Sequence, residues 1–148
     1  LIKTTTERDR FSGHSLEIYQ KMLEKLGNQA SLLLAEYQGK ITSGGIFTFY
    51  GKTAVYYYGA SGNEHREVMA PYLVQWEAIQ MAKEKGCRVF DFLGIAPPDT
   101  KNHSWKGITE FKKKFGGKEV GFPAPQDIVY QPAWYQIFRA GKRLRQLF

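Results

Sequence analysis

The segment 107–117 carries three consecutive lysines between two phenylalanines. Read as a helix that turns about 100° per residue, it places Ile108, Phe111 and Phe115 on one face. Lys112 then falls at the edge of this apolar face, whereas the two lysines that follow it project into water. A lysine at such an edge keeps its stem against hydrophobic surface and offers a partly desolvated ammonium group. Lys112 is therefore the best single candidate for chemistry in this chain. The alternative is a solvated basic helix that packs two phenylalanines into a core.

Other side chains offer no evident nucleophile or metal site. Cys87 follows a predicted helix end and is expected to be a small core residue. Ser61 lacks the Gly-x-Ser-x-Gly pattern of a nucleophile elbow. Asp91 lies in a hydrophobic run, as either a buried base or a satisfied structural carboxylate, and the structural role is favoured. The three histidines and the single cysteine lack the spacing of metal ligands, so no metal is expected.

Composition and charge narrow the class of protein. The chain has 148 residues, 43% of them hydrophobic, which predicts a single domain over residues 1–148 with a real core. Its net charge of +7 favours an anionic partner such as RNA, a phosphorylated small molecule or an anionic membrane face. With one cysteine and neither a signal-peptide nor a membrane-spanning pattern, a reducing, cytoplasmic compartment is expected. The leucine at position 1 suggests a piece of a longer polypeptide.

Hydrophobic periodicity and turn residues predict the order of the elements. A helix ends near residues 7–11, a second covers 16–26, and strands follow at 31–37, 41–50 and 53–58. A helix over 70–85, a strand over 87–93 and the Lys112 helix, which Gly116 and Gly117 end, come next. Two β-like pieces at 118–122 and 127–130 precede a basic amphipathic helix over 132–148, whose apolar residues are Trp134, Ile137, Phe138, Leu144 and Phe148.

These elements predict an α+β fold. Short glycine turns indicate antiparallel hairpins in a meander, and Gly44 and Gly45 mark a bulge or a close backbone approach. A helix between two strands favours a parallel pair. The order is that of a GNAT-type acyltransferase fold, an antiparallel meander followed by a splayed parallel strand pair, with helices on both faces. The helix over 70–85 is expected to bury a stripe of large side chains, Met69, Tyr72, Leu73, Trp76 and Ile79.

Four motifs resemble the Fem (FemABX) family of non-ribosomal peptidyltransferases of peptidoglycan biosynthesis, and they occur in the same order. They are Tyr-Tyr-Gly-Ala-Ser at 57–61, Ala-Pro-Tyr-Leu-Val-Gln-Trp-Glu-Ala-Ile at 70–79, Gly-Cys-Arg-Val-Phe-Asp-Phe-Leu-Gly-Ile at 86–95 and Gly-Ile-Thr-Glu-Phe-Lys-Lys-Lys-Phe-Gly-Gly at 107–117. The resemblance covers roughly residues 7–139. Family members carry two GNAT-like domains, and this chain resembles the second. The resemblance therefore implies an upstream GNAT-like domain.

The resemblance implies transfer of an amino acid from aminoacyl-tRNA to the stem-peptide amine of a UDP-linked or lipid-linked muropeptide in the bacterial cytoplasm. In the family, the Phe-Lys pair of an FKxxFGG motif acts near the tRNA 3′ end, and by motif match this pair is Phe111 and Lys112. A fixed cation there would stabilise the charge that develops on the ester carbonyl oxygen. Arg66 and Tyr72 are candidates for the muropeptide site, with a plain capping role as the alternative, and Trp105 is a further candidate for substrate contact.

The loop before the helix over 70–85 disfavours coenzyme A. A CoA-dependent enzyme of this fold has a glycine-rich turn there, whose amides bind the pyrophosphate. Residues 61–67 contain two carboxylates and one glycine instead. A CoA-dependent N-acyltransferase and a non-catalytic RNA- or muropeptide-binding module remain as alternatives. The basic tail is an ordinary surface helix, a tRNA contact or a patch for the inner membrane face.

Overall fold

The computed structural model describes residues 1–9, 11–98, 100, 103–123 and 125–145. The chain divides into two compact units, Leu1–Gly116 and Gly117–Phe148. The first unit contains α1 (Ile2–Asp9), α2 (Leu16–Leu26), β1 (Ala30–Tyr37), β2 (Lys40–Tyr50), β3 (Thr53–Ser61), α3 (Ala70–Glu84), β4 (Val89–Asp91) and α4 (Lys106–Lys113). The second contains α5 (Pro132–Arg145).

The first three strands form the predicted antiparallel meander. The sheet order is β1-β2-β3-β4, with antiparallel pairing among the first three strands. Both connections are two-residue turns. Gln38 and Gly39 have φ of 51° and 77°, and Gly51 has φ of 58°. Positive φ values let a short turn follow the right-handed twist of the strands it joins.

The glycine pair in β2 marks a close approach. A Cβ at Gly44 would lie 2.7 Å from the Leu34 Cδ2 atom, and one at Gly45 would lie 2.9 Å from the Phe47 ring. Of the two interpretations of this pair, the structure therefore supports the close approach most directly. The pairing irregularities fall nearby, between Ala35 and Glu36 on β1 and between Ile46 and Phe47 on β2.

The parallel strand pair is confirmed, but its second strand is shorter than predicted. β4 pairs in parallel with the start of β3 and covers only Val89–Asp91, whereas the sequence predicts residues 87–93. Leu93 adopts a left-handed φ of 58°, which ends extended backbone. The Asp91 carboxylate accepts a hydrogen bond from the Leu93 amide at 2.7 Å and stabilises this turn.

The core lies between the sheet and a small-residue face of α3. Its members are Ala35, Phe47, Phe49, Ala54, Ala70, Val74, Ala78 and Ala82. The predicted stripe of large side chains is wrong, because Met69, Leu73 and Trp76 are exposed and Tyr72 and Ile79 are only partly buried. The sheet already supplies large aromatic rings, so the helix that packs on it at native density must offer small side chains.

The other face of the sheet is covered by α1 and α2, so the prediction of helices on both faces is confirmed. Ile46 pairs with Tyr58 and shares its face, opposite to that of Phe47. Tyr19 of α2 packs edge-on against Tyr58, with ring centroids 4.9 Å apart. The buried Thr5 hydroxyl of α1 donates to the Ser61 carbonyl at 3.1 Å.

The second unit contains the predicted amphipathic helix but not the predicted strands. Residues 118–122 and 127–130 form no strand, because neither segment pairs with a strand in the described part of the chain. Tyr135 of α5 donates a hydrogen bond to the Asp127 carboxylate. Trp134, Ile137 and Phe138 are exposed, whereas the side chain of Leu144 and the whole of Phe148 lie outside the described residues. None of the described helices has both the length and the apolar character required to cross a membrane.

The small-residue face of α3 can be tested by overpacking it. We expect Ala78→Leu to lower the free energy of unfolding by about 1–3 kcal/mol, because Ala78 is fully buried and a leucine there forces its neighbours apart. Gln80→Leu places the same side chain on the exposed side of α3 and should change it by less than about 0.5 kcal/mol. Urea unfolding monitored by circular dichroism measures both. Equal midpoints for the two variants would contradict the assigned core face.

Candidate functional site

A cluster of aromatic rings fixes α4 to the rest of the first unit. The Phe111 ring lies 4.9 Å from that of Tyr72, and the Phe115 ring lies 5.6 Å from Tyr72 and 5.1 Å from Phe92. Phe92 in turn contacts Phe90 at 4.9 Å. Ring pairs at these separations add attraction beyond the burial of their area. The two phenylalanines of α4 therefore hold the helix against α3 and the segment that follows β4.

Lys112 lies between this cluster and the segment after β4. Its side chain is half-buried, whereas Lys113 and Lys114 are exposed, as the helical projection predicts. The Lys112 Nζ atom donates a hydrogen bond to the Gly94 carbonyl oxygen at 2.7 Å. An ammonium group has three N–H donors, and this contact engages one of them.

The surroundings of Lys112 disfavour its charged form only in part. Burial lowers the pKa of the Lys112 ammonium below its ordinary value, and the Asp91 carboxylate acts in the opposite direction. Asp91 is exposed, so the alternative of a buried base is wrong, whereas the favoured structural role agrees with its bond to the Leu93 amide. The site thus combines a partly desolvated cation with a neutral carbonyl acceptor.

Tyr56 of β3 forms a second wall of the site. The Lys112 Nζ atom lies 6.0 Å from the centre of the Tyr56 ring, at the outer limit of a cation–π contact. Gly59 makes room for this tyrosine, since a Cβ there would lie 1.6 Å from the Tyr56 hydroxyl oxygen. Burial raises the pKa of the Tyr56 hydroxyl to about 12, and a hydrogen bond with Gln75 acts to lower it. Gln75 is 1% exposed, and its Oε1 atom has no hydrogen-bond partner in the described chain.

The backbone between β4 and α4 packs against the start of α4. A Cβ at Gly94 would lie 3.2 Å from the Trp105 ring, so the ring lies against the backbone that accepts the Lys112 bond. Further along the loop, the Ala96 amide donates to the Thr109 hydroxyl at 2.9 Å. Side chains of α4 therefore contact this loop at several points, and one of those contacts is made by Lys112.

The structure brings together four of the five residues singled out from the sequence. Phe111 and Lys112 lie on α4, Trp105 is the N-cap residue just before it, and Tyr72 contacts Phe111 from α3. Trp105 is 51% exposed and leaves part of its ring open to a ligand. Arg66 is exposed in a short 3₁₀ turn before α3, and its side chain makes no hydrogen bond or ion pair with any described residue. The roles of all five remain predictions.

Sequence reasoning missed three contributors to the surroundings of Lys112: Tyr56, Gly94 and Thr109. A backbone carbonyl such as that of Gly94 carries no signal in a side-chain pattern. Tyr56 belongs to a run of three tyrosines, and only the register of β3 shows which of them faces α3. The one usable signal is Gly59, whose lack of a side chain in a strand indicates close approach by another group.

The remaining candidates have structural explanations. Cys87 is partly buried and packs against the core, as expected. The Ser61 carbonyl accepts bonds from Thr5 and Arg8 of α1, so Ser61 is engaged in holding this helix. Among the described residues, histidine, cysteine and carboxylate side chains form no group of three suited to a metal ion.

Solved structures of low sequence identity share this architecture. Glucosamine-6-phosphate N-acetyltransferase from Arabidopsis thaliana is 13% identical, with a TM-score of 0.61 over 87% of this chain and 89% of its own. An acetyltransferase from Trypanosoma brucei is 12% identical, with a TM-score of 0.59 over 85% of this chain and 89% of its own. With the sheet topology, these likenesses define a GNAT-type acyltransferase fold.

The sequence narrows this class to one family. The FemAB family profile matches residues 38–142, and the chain belongs to the FemAB family. Lipid II:glycine glycyltransferase of Staphylococcus haemolyticus is 31% identical over 126 residues, which are 83% of this chain and 29% of that protein. Aminoacyltransferase FemA of Staphylococcus epidermidis is 28% identical over 120 residues, 80% of this chain and 29% of its own length. The chain thus spans less than a third of these relatives.

The environment of Lys112 predicts its titration. Because burial disfavours the ammonium, we expect Lys112 to lose its proton at a lower pH than an ordinary lysine. The folded state then binds fewer protons than the unfolded state over this interval, so its stability should rise as the pH increases from the folded to the unfolded pKa. NMR of ¹³C-labelled lysine side chains measures the pKa of Lys112, and the Lys112→Arg variant assigns its signal. A Lys112 pKa at or above the ordinary value would contradict the assigned burial.

Proposed function

We propose that this chain is the part of a FemAB-family aminoacyltransferase that binds and activates the donor ester. The full protein would move an amino acid from aminoacyl-tRNA to the stem-peptide amine of a UDP-linked or lipid-linked peptidoglycan precursor. The observation that carries this proposal is the half-buried Lys112 ammonium, whose one hydrogen bond to a described residue leaves two N–H donors for a substrate. Membership of a family with a glycyltransferase and an aminoacyltransferase among its relatives supports it.

The reaction is the aminolysis of an ester. The lone pair of the neutral amine attacks the ester carbonyl carbon, a C–N bond forms, and negative charge moves to the carbonyl oxygen. The C–O bond to the tRNA ribose then breaks, and the amide product forms. The amine loses one proton and the ribose oxygen gains one, so no oxidant, reductant or metal is needed for the balance.

In this scheme Lys112 stabilises the oxyanion. A positioned donor in a partly water-excluded site is most valuable where charge develops in the transition state. Phe111 positions the cation indirectly, because its contact with Tyr72 fixes the helix turn that carries Lys112. Lys112 remains protonated throughout and acts as an electrostatic catalyst, with no covalent role.

The start of α3 supports a donor other than coenzyme A. In the related fold of CoA enzymes, free amides of this region would have to bind the pyrophosphate. Here the amides of Val68, Met69 and Tyr72 donate to backbone carbonyls, and Pro71 has no amide hydrogen. The +7 net charge suits the phosphate backbone of tRNA instead.

The acceptor site would draw on residues beside α4 and on an upstream GNAT-like domain. Tyr72 and Trp105 present partly exposed aromatic surface near Lys112, which suits the apolar face of a sugar or peptide. Arg66, whose guanidinium has no partner among the described residues, would bind a substrate phosphate. The lipid-linked form of the acceptor is suggested by the name of the Staphylococcus haemolyticus relative. Such a reaction belongs at the inner, cytoplasmic face of the membrane, where the basic helix α5 would meet anionic lipid or tRNA.

The role of Lys112 is tested by removing its charge. We expect Lys112→Met in the full-length protein to lower kcat about 100- to 1000-fold, the loss typical of one oxyanion donor. The assay follows labelled amino acid from aminoacyl-tRNA to UDP-muropeptide and, separately, to the lipid-linked precursor. Lys113→Met is the control, because it removes an adjacent exposed charge that lies outside the oxyanion contact. It should keep kcat at saturating tRNA within about threefold of the parent.

Each outcome bears on the proposal. Near-parental turnover by Lys112→Met, with the circular dichroism spectrum unchanged, would remove Lys112 from the mechanism. Acetyl-CoA binding in a calorimeter, combined with no transfer from charged tRNA to either precursor, would favour a CoA-dependent acyltransferase. Transfer to only one of the two precursors would identify the acceptor.

A further inference from the structure

A buried hydroxyl joins the helix of Lys112 to the loop that holds its ammonium group. Thr109 is 9% exposed, and its hydroxyl donates to the Trp105 carbonyl oxygen at 2.7 Å. The Thr109 hydroxyl oxygen in turn accepts a hydrogen bond from the Ala96 amide at 2.9 Å. The first bond is common for threonine within a helix. The second reaches outside the helix to a residue 13 positions earlier, so one side chain connects the two segments.

This connection lies beside both partners of the Lys112 contact. Ala96 follows Gly94 by two residues, and Thr109 precedes Lys112 by three, so Thr109 and Lys112 lie on neighbouring positions of one side of α4. The same loop contains Leu93 in a left-handed conformation, which is costly for a side chain without glycine's freedom. A loop with such strain keeps its shape only if surrounding contacts hold it.

We propose that Thr109 is a positioning residue for Lys112. Its hydroxyl holds the loop so that the Gly94 carbonyl engages one N–H of the ammonium and leaves the other two for the ester oxygen. This inference rests on the proposed catalytic role of Lys112. Threonine is a weaker helix former than alanine, so its place in a short helix points to a requirement for its hydroxyl.

Two variants separate the hydroxyl from the volume of the side chain. Thr109→Val keeps the shape and leaves the Ala96 amide without its acceptor, and Thr109→Ser keeps the hydroxyl. In the full-length protein, we expect Thr109→Val to lower kcat about 10- to 100-fold, as misplacement of a reacting group does, with KM for aminoacyl-tRNA within about twofold. Thr109→Ser should restore kcat to within about threefold of the parent.

The pKa of Lys112 distinguishes a positioning role of Thr109 from a merely structural one, which would leave this pKa unchanged. In Thr109→Val, the pKa of Lys112 should rise towards the ordinary lysine value, because an ammonium released from Gly94 gains access to water. Asp91, the charged group that faces Lys112, is unchanged in both variants. The ¹³C-lysine NMR signal of Lys112 reports this pKa, and in Thr109→Ser it should stay at the parental value.

The outcomes are distinct from those that test the proposed function. An unchanged Lys112 titration in Thr109→Val, or equally slow turnover by Thr109→Ser and Thr109→Val, would overturn the positioning role. Should the valine variant fail to fold, Thr109→Ala offers the same loss of hydroxyl with a better helix former. If Lys112→Met retained full activity, the proposed mechanism would fail, while the titration of Lys112 in the threonine variants would still decide whether Thr109 positions it.

Discussion

The hydrogen bond from Lys112 to the Gly94 carbonyl is the interaction on which the candidate site depends. A half-buried ammonium needs an acceptor, and a carboxylate in that place would cancel the positive charge. A backbone carbonyl fixes the group and leaves its net charge intact. The nearby carboxylate of Asp91 is instead bonded to the Leu93 amide, where it shapes the loop that presents Gly94. The group that anchors the ammonium, the Gly94 carbonyl, thus carries no charge, and the Asp91 carboxylate has a separate, structural role.

The core supports this arrangement through a continuous set of aromatic contacts. Phe47, at the centre of the sheet, lies 6.2 Å from Phe90, which contacts Phe92 at 4.9 Å. Phe92 stacks on Phe115 of α4 at 5.1 Å. The alanine-rich face of α3 leaves room for the rings of Phe47 and Phe90, because large side chains on that helix would compete for the same volume. The position of Lys112 therefore depends on the small residues of a different helix.

The sequence was sufficient for the meander, the parallel pair and the placement of Lys112, since each follows from local turn chemistry or helical periodicity. Prediction from the sequence failed where the structure of an element depends on the surface that packs against it. The size of Leu73 and Trp76 suggested the buried face of α3, but the aromatic sheet selects alanines instead. Residues 118–122 have strand-like composition, yet a strand requires a partner, which composition does not supply. The contacts of Tyr56, Gly94 and Thr109 join residues that are far apart in the sequence, so a local sequence pattern does not predict them either.

The structure also suggests how one fold can serve donors of different chemistry. In CoA enzymes of this fold, positive potential at the start of the central helix has to come from unpaired amides. Here the amides of Val68, Met69 and Tyr72, at the start of α3, donate to backbone carbonyls, and a partly desolvated charge lies on α4. A cation at that position faces the reacting ester rather than a distant pyrophosphate, under the proposed mechanism. Under the same proposal, the basic surface of the protein would bind the polyanion, and the Lys112 site would contact only the end of the donor that carries the amino acid.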